Sequence, residues 1–375
     1  MSSAWVIAIS ALVPLGIALG NVWGWPRGRP VNALGRRFSV LVPARDEERT
    51  IGDCLAALDA TSLRPTEVLV LDDGSTDRTA AILASATLPE LRILRNATLP
   101  HGWIGKVHAC HRLAAEATGD VLLFVDADTR LTPEGIARIA SLFQDYGADI
   151  VTAVPRQEVR TLAERLLLPV LHLTYAAWLP MPLVWRTRDP RLLAANGQVL
   201  AITRQALDRI GGFAAVRHEL VDDMAICRRA KAAGLRVVFA DGNDIATTRM
   251  YRSAREVWDG FSKNLYEGIG GRPHALVGVI ALYTVPFLLP YAMLVGAVLG
   301  TSALWGPAVL GVGANLALRA LLALRHRQPV EGIIVHPLSV VALLVVAINS
   351  WHWNQKGAIR WRGRTYAARS ARGSG

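Results

Sequence analysis

Apolar residues are laid out along this chain in two ways. At the N-terminus, and again from about residue 275, they run on without interruption. Between those regions they come in short bursts separated by polar stretches of helical period. The bursts Phe38-Ser-Val-Leu-Val-Pro-Ala, Glu67-Val-Leu-Val-Leu, Leu91-Arg-Ile-Leu and Asp120-Val-Leu-Leu-Phe-Val read as buried strands. Residues 49–60, 77–85, 106–117 and 133–143 read as the helices between them. Strands alternating with helices predict βαβ units and a mostly parallel central sheet. In such sheets ligands bind beyond the carboxyl ends of the strands.

The uninterrupted runs predict something else. Residues 4–20 are apolar and uncharged, no Lys or Arg precedes them, and Arg27, Arg29, Arg36 and Arg37 follow. A signal peptide has the opposite polarity, so this run predicts an uncleaved anchor with the following chain on the cytoplasmic side. Residues 275–298, 304–324 and 333–353 are each long enough to cross a hydrocarbon core of about 30 Å. Three crossings would leave a basic tail outside, against the positive-inside tendency, so a re-entrant stretch broken at Pro286, Pro290 or Pro337 is the alternative. Residues 162–185 carry Glu164, Arg165, His172 and three prolines, which suits an interfacial or re-entrant segment. Residues 253–268 are amphipathic, with Trp258, Phe261, Leu265 and Tyr266 among charges, and predict a helix on the membrane surface. The resulting scheme is an anchor (1–24), a globular domain (36–250), an amphipathic segment (251–272), membrane segments (273–353) and a basic tail (354–375).

Composition agrees with a soluble body joined to apolar spans. Of 375 residues, 52% are hydrophobic, yet 19% are charged. The formal net charge of +11 is concentrated beside the apolar runs, notably at Lys356, Arg360, Arg362, Arg364, Arg369 and Arg372. Basic clusters in that position suit the anionic surface of a bilayer better than a nucleic acid. Cys54, Cys110 and Cys227 are too scattered for a disulfide framework or a thiolate metal site, which fits a reducing compartment.

Three acidic signals carry the chemistry. Asp72-Asp73-Gly74 ends a buried strand, where a carboxylate can accept from a base N–H or a ribose hydroxyl; Ser75 or Asp77 caps the next helix in the blander reading. Asp126-Ala-Asp128 ends a second strand and offers hard oxygen ligands for Mg²⁺ or Mn²⁺, leaving positions for substrate phosphates. Asp222-Asp223 opens a helix that ends at Gly234. Complementing the helix dipole explains such acids in isolation; after the other two signals they become candidates for a general base. Lys106 opens a helix after a glycine and can reach a donor phosphate. His101, His108 and His111 invite a zinc reading, but no further ligand is spaced with them.

Together these signals resemble the family-two inverting glycosyltransferases with a GT-A fold, over roughly residues 38–265. The resemblance implies a hexosyltransferase whose nucleotide-sugar donor, a UDP- or GDP-sugar, is held by Pro43, Ala44, Arg45 and Glu47 of the opening strand and loop and by Asp72, Asp73, Lys106 and Asp126. It implies a metal on Asp126 and Asp128. Asn196-Gly197-Gln198 and Ile210-Gly-Gly-Phe213 match the family's acceptor-side strand and turn, and Trp258, Lys263 and Asn264 fall on the same side. Asp223 takes the position of the base; Asp222 stands where the family usually has Glu, which leaves both acids as candidates. The Gln-x-x-Arg-Trp motif of processive members is missing, implying transfer of one sugar. Gly102-Trp-Ile-Gly-Lys106, Phe261-Ser-Lys-Asn264 and Trp361-Arg-Gly-Arg-Thr-Tyr366 look like the membrane-bound branch that glycosylates carotenoid or hopanoid lipids, at the cytoplasmic face of the inner membrane.

The expected reaction is a single displacement onto a lipid hydroxyl. An acceptor carboxylate, or a polyprenyl phosphate met by Arg249, Arg252 and Lys263, arrives ionised and needs the base less. A non-catalytic scaffold leaves three intact acidic sites unexplained. A transporter is poorly supported, because the spans hold few charges beyond Arg319.

Overall fold

The computed structural model describes residues 2–33, 35–96, 98–356, 359–361 and 364–366. Arg362, Arg369 and Arg372 of the basic tail lie outside the described residues, as does Gly363 of the terminal motif. The chain forms two compact units. One comprises Trp25–Glu158 and Met181–Met250; the other comprises the residues up to Gly24, Val159–Pro180 and the chain from Tyr251 onward.

The first unit is built on an eight-stranded sheet: β1 (Phe38–Ala44), β2 (Glu67–Asp72), β3 (Leu91–Arg95), β4 (Val121–Val125), β5 (Thr129–Leu131), β6 (Ile150–Gln157), β7 (Val199–Thr203) and β8 (Val237–Thr248), in the order β3-β2-β1-β4-β7-β6-β8-β5. Strands β3, β2, β1 and β4 are mutually parallel, with Ala44 in register with Asp72. β7 runs against both β4 and β6, β8 is parallel to β6, and β5 is antiparallel to β8. The sheet is therefore parallel on one side of β4 and mixed on the other. The continuous apolar runs of β1, β2 and β4 follow from burial of both sheet faces. Val40, Val42, Val68, Val70, Leu123 and Val125 pack with Ile51, Leu55 and Leu58 of the helix Ile51–Asp59 and with Ile136 and Ile139 of the helix Gly135–Tyr146.

The second unit is helical. Three of its helical stretches are long and apolar enough to cross a membrane: Ser3–Gly24, Pro273–Val298 and Ser302–His326. The last expected span forms the helix His336–Gln355, whose ends carry His336, His352 and Asn354, and it is not among those three. Pro286 and Pro290 break the stretch Pro273–Val298 into the helices Pro273–Phe287 and Leu289–Val298. Pro290 has no N–H to give the Pro286 carbonyl one turn earlier; Asn315 Nδ2 donates to that carbonyl instead, at 2.9 Å.

Residues 162–185 do not behave as one segment. They fold as Leu162–Leu167, Pro169–Trp178 and Met181–Arg186, and the last of these belongs to the sheet unit. Asn21 Nδ2 donates to the carbonyls of Ala176 and Leu179, at 2.9 and 2.8 Å, closing the end of the middle helix where Pro180 stops it. The amphipathic stretch is the helix Ala254–Gly268, capped by Ser253. Its apolar residues, expected on a membrane surface, divide: Val257, Phe261 and Tyr266 are buried where the helix docks on His336–Gln355, and Trp258 is partly exposed. Ser350 Oγ accepts from the Tyr266 amide at 2.9 Å, and Asn349 Nδ2 donates to Ser262 Oγ at 2.8 Å.

Candidate active site

At the carboxyl end of β1 and β2 the two following loops are stitched together. The Asp73 amide donates to the Ala44 carbonyl at 2.8 Å. The amides of Asp46, Glu47 and Glu48 donate to Ser75 Oγ, Thr79 Oγ1 and Asp77 Oδ2, at 3.0, 2.8 and 3.0 Å. In return the Thr76 amide donates to Asp46 Oδ1 at 2.7 Å. Asp46 adopts a left-handed backbone (φ 53°), and Gly74 (φ 73°) supplies the turn after the acid pair. Ser75, expected as a helix cap, instead accepts from Asp46; Asp77 does accept from the first helical amide, Thr79, at 2.9 Å. Asp72 Oδ1 accepts from the Ser75 amide at 2.9 Å, and the Arg45 guanidinium donates to the Asp73 carbonyl.

Asp73 is also held from a neighbouring loop. Asn96, just past β3, donates through Nδ2 to Asp73 Oδ1 at 3.1 Å, and the same amide lies 3.2 Å from His108 Nδ1. Asn96 joins the site only through the β2–β3 pairing, and nothing in its own sequence neighbourhood announces it. His108 and His111 flank the Trp103 ring, at centroid distances of 5.3 and 5.0 Å. This arrangement packs the histidines on an aromatic face rather than around an ion, so the zinc reading gains no support.

The second and third acidic signals meet around Lys106, in the first turn of the helix Gly105–Glu116. Lys106 Nζ lies 2.6 Å from Asp126 Oδ1. Burial opposes its charge, but Asp126 and Asp222 outweigh that penalty and hold its pKa above the ordinary lysine range. Asp128, two residues on, feels the same lysine more weakly than it feels its acidic neighbours. Thr129 Oγ1 donates to Asp128 Oδ1 at 3.1 Å, yet burial, Asp126 and Glu47 push the Asp128 carboxyl up to about 7. A carboxyl crowded by two other acids is one whose charge a divalent cation would relieve. The donors are hard oxygens, as Mg²⁺ and Mn²⁺ prefer. Among the described residues no group of three or more His, Cys, Asp or Glu is arranged to hold a metal. Asp126 and Asp128 therefore fit a cation whose remaining ligands come from phosphate and water, as in hard-cation nucleotide sites.

Asp222 and Asp223 open the helix Asp222–Ala232, where Asp223 Oδ1 accepts from the Met224 amide at 2.8 Å. Burial first, then Asp222, raises the Asp223 carboxyl to about 6. Gly197 stands directly beside it: a Cβ at Gly197 would lie 3.4 Å from Asp223 Cβ and 3.5 Å from its Oδ2. The Gln198 carbonyl accepts from the Asp126 amide at 3.2 Å, so the Asn196-Gly197-Gln198 stretch bridges Asp126 and Asp223. Gln198 Nε2 donates to Thr248 Oγ1 at 3.2 Å, and Thr248 Oγ1 to the Asp128 carbonyl at 3.2 Å. The residues expected for donor, metal and base thus gather in the sheet unit. Trp258, Lys263 and Asn264 lie on the helix Ala254–Gly268 of the helical unit; Asn264 is exposed and Trp258 is 37% exposed. Cys54, Cys110 and Cys227 are free and buried, and burial raises the Cys54 thiol to about 12, which removes them from nucleophilic chemistry.

An α/β sheet with carboxylates gathered beyond the carboxyl ends of its strands matches the GT-A class of glycosyltransferase. A model of the family described as "Glycosyltransferase like family 2" matches residues 36–265, more than half of the chain, and the chain belongs to that family. It is thus an enzyme, a hexosyltransferase with a GT-A fold. It is similar to the 4,4'-diaponeurosporenoate glycosyltransferase of Staphylococcus aureus, with 23% identity over 354 residues covering 91% of each chain. Among solved structures it is similar to the mannosyltransferase PcManGT of Pyrobaculum calidifontis, determined in complex with GDP-Man and Mn²⁺; the TM-score is 0.57 at 18% identity, covering 94% of this chain and 99% of that one.

Proposed function

We propose that the protein transfers one hexosyl group, with inversion, from a UDP- or GDP-sugar to the hydroxyl of a membrane lipid of carotenoid or hopanoid type. The observation that carries this reading is the convergence of Asp126, Asp222 and Asp223 around Lys106, with Asp128 alongside. The nucleoside lies against Pro43, Ala44, Arg45 and Glu47 and is held by Asp72 and Asp73. Mg²⁺ or Mn²⁺ on Asp128 and Asp126, when bound, neutralises the departing diphosphate. Lys106, paired with Asp126, adds a positive charge at the same place. Asp223, its pKa raised toward neutrality, accepts the acceptor's hydroxyl proton while the oxygen forms its bond to the anomeric carbon and the carbon–phosphate oxygen bond breaks. The carboxyl of Asp222 disfavours the ionised form of Asp223 and so makes it the stronger base. That poise favours a hydroxyl acceptor over one that is ionised beforehand.

Similarity to a glycosyltransferase of a carotenoid carboxylate supports an acceptor of carotenoid type, while the hydroxyl rests on the poise of Asp223; the Mn²⁺ and GDP-Man of the Pyrobaculum protein support the metal and donor class. The apolar helices support a membrane location, and Arg27, Arg29, Arg36 and Arg37 after the first of them support the cytoplasmic side for the sheet unit. The test is to incubate the full chain, in detergent, with UDP-glucose or GDP-mannose, MnCl₂ and extracted apolar lipids. A new glycosylated lipid by mass spectrometry that disappears with EDTA and with Asp223→Asn is expected. Donor turnover that survives both treatments overturns the reading.

A further inference from the structure

The helical unit holds a concentration of hydrogen-bonding capacity that the transfer reaction does not use. Arg319, in the helix Trp305–His326, is 1% exposed. Its Nε donates to the Gly332 carbonyl at 3.2 Å, while its Nη1 is buried without a hydrogen-bond partner among the described residues. Among the described residues its electrostatic partners are His172, His336 and Tyr291, none of them a carboxylate. His172 and His336 are 1% and 0% exposed, and both ring nitrogens of each lack a partner among the described residues. The same holds for the hydroxyls of Tyr291 and of Ser339, one turn along from His336.

An apolar helical unit is an expensive place for an unneutralised guanidinium, and buried polar groups are ordinarily hydrogen-bonded. The unmet donors here are the guanidinium, two hydroxyls and one N–H on each imidazole; the unmet acceptors, the second imidazole nitrogens and Asn315 Oδ1, are all neutral. What such a set lacks is a multivalent acceptor carrying negative charge. Its place along the helices narrows the class further. Arg319 lies two turns from the C-terminal end of its helix, where Arg325, His326 and Arg327 follow, and His336 is the first residue of the next long helix. A site near the end of an apolar bundle sits at the depth of a lipid head rather than of its tails.

We propose that Arg319, with His172, His336, Tyr291 and Ser339, forms a binding site for the anionic oxygen head of a lipid, a phosphate or a carboxylate. The site is distinct from the acids that perform transfer, and the inference does not rest on the acceptor assigned above. Arg319 takes the head through its guanidinium fork, with the hydroxyls and imidazoles filling the remaining oxygen lone pairs.

The test uses the full chain in nanodiscs and reads bound lipid by native mass spectrometry, with no activity assay. One arm offers phosphatidylglycerol in a phosphatidylcholine background; a second offers palmitate. Arg319→Met is expected to lower retention of one probe about tenfold or more, as loss of one partner of a buried charge-assisted pair does, and the probe that responds identifies the head as phosphate or carboxylate. Because Arg319→Met risks misfolding, Tyr291→Phe and Ser339→Ala are measured beside it; each removes one oxygen and should weaken retention of the same probe. Equal retention of both probes by the native chain and by folded Arg319→Met, or by both milder variants, overturns the proposal and leaves water as the partner of these groups.

Discussion

Gly197 packs against the carboxyl of Asp223: a Cβ at Gly197 would stand in van der Waals contact, 3.5 Å from Asp223 Oδ2. Any acceptor that gives its proton to Asp223 must occupy the space beside this glycine. Gly197→Ala should fold normally and lower kcat by about tenfold, while Gly197→Leu should lower it about a hundredfold or more, since displacement of reacting groups by about 1 Å has effects of that size. Steady-state kinetics with a nucleotide-binding control check this, and an unchanged kcat in Gly197→Leu refutes the placement.

Asp223→Asn should reduce kcat by about 10²- to 10⁴-fold, the usual worth of a positioned base, with donor affinity nearly intact. With the carboxyl at about 6, log kcat of the native enzyme should decline as pH falls below that value. The stability effect has the opposite sign. A carboxyl raised above its unfolded value binds its proton more tightly when folded, so the folded state is favoured below about pH 4 and loses that advantage as pH rises through about 6. Asp223→Asn should therefore raise Tm at pH 8 and leave it nearly unchanged at pH 4. Thermal melts at the two pH values decide the matter.

Mn²⁺ should raise the Tm of the native protein at pH 7.5 by mass action. Asp128→Asn should remove that rise, and Asp72→Asn should keep it, because Asp72 is occupied by the Ser75 amide. Since the Asp128 carboxyl titrates at about 7, protons compete with the metal and its affinity should drop about tenfold per pH unit below that. Isothermal titration from pH 5.5 to 8 measures the slope.

Asn96→Ala should weaken nucleotide binding by about 1 kcal/mol, the usual net worth of a hydrogen bond, because Asp73 then loses the amide that orients it. The Mn²⁺-induced rise in Tm should stay, separating this effect from damage at Asp128. Nucleotide titration with and without Mn²⁺ provides the comparison.

The parallel half of the sheet was legible because β1, β2 and β4 are buried on both faces and so write unbroken apolar runs, with their acids at the end where a crevice opens. The other half was not. β8 contains Asp241-Gly242-Asn243-Asp244, which reads as a turn; Asp241 Oδ1 accepts from both the amide and the side chain of Asn243, at 3.1 and 2.7 Å, and the pairing with β6 shifts register there before it resumes at Thr247. The bond between Lys106 and Asp126, and the hold of Asn96 on Asp73, join residues that only the packed sheet brings together. The amphipathic helix was legible as a helix, but its own sequence could not name Ser350 and Asn349 of another helix as partners of the Tyr266 amide and Ser262.

The cross-stitched loops after β1 and β2 bear on how the enzyme handles an encounter. Backbone amides of one loop end on side chains of the other, so the surface proposed for the nucleoside is braced before any ligand arrives. Little disorder remains for an arriving donor to freeze out, and a larger share of its contact energy is left to tighten the complex.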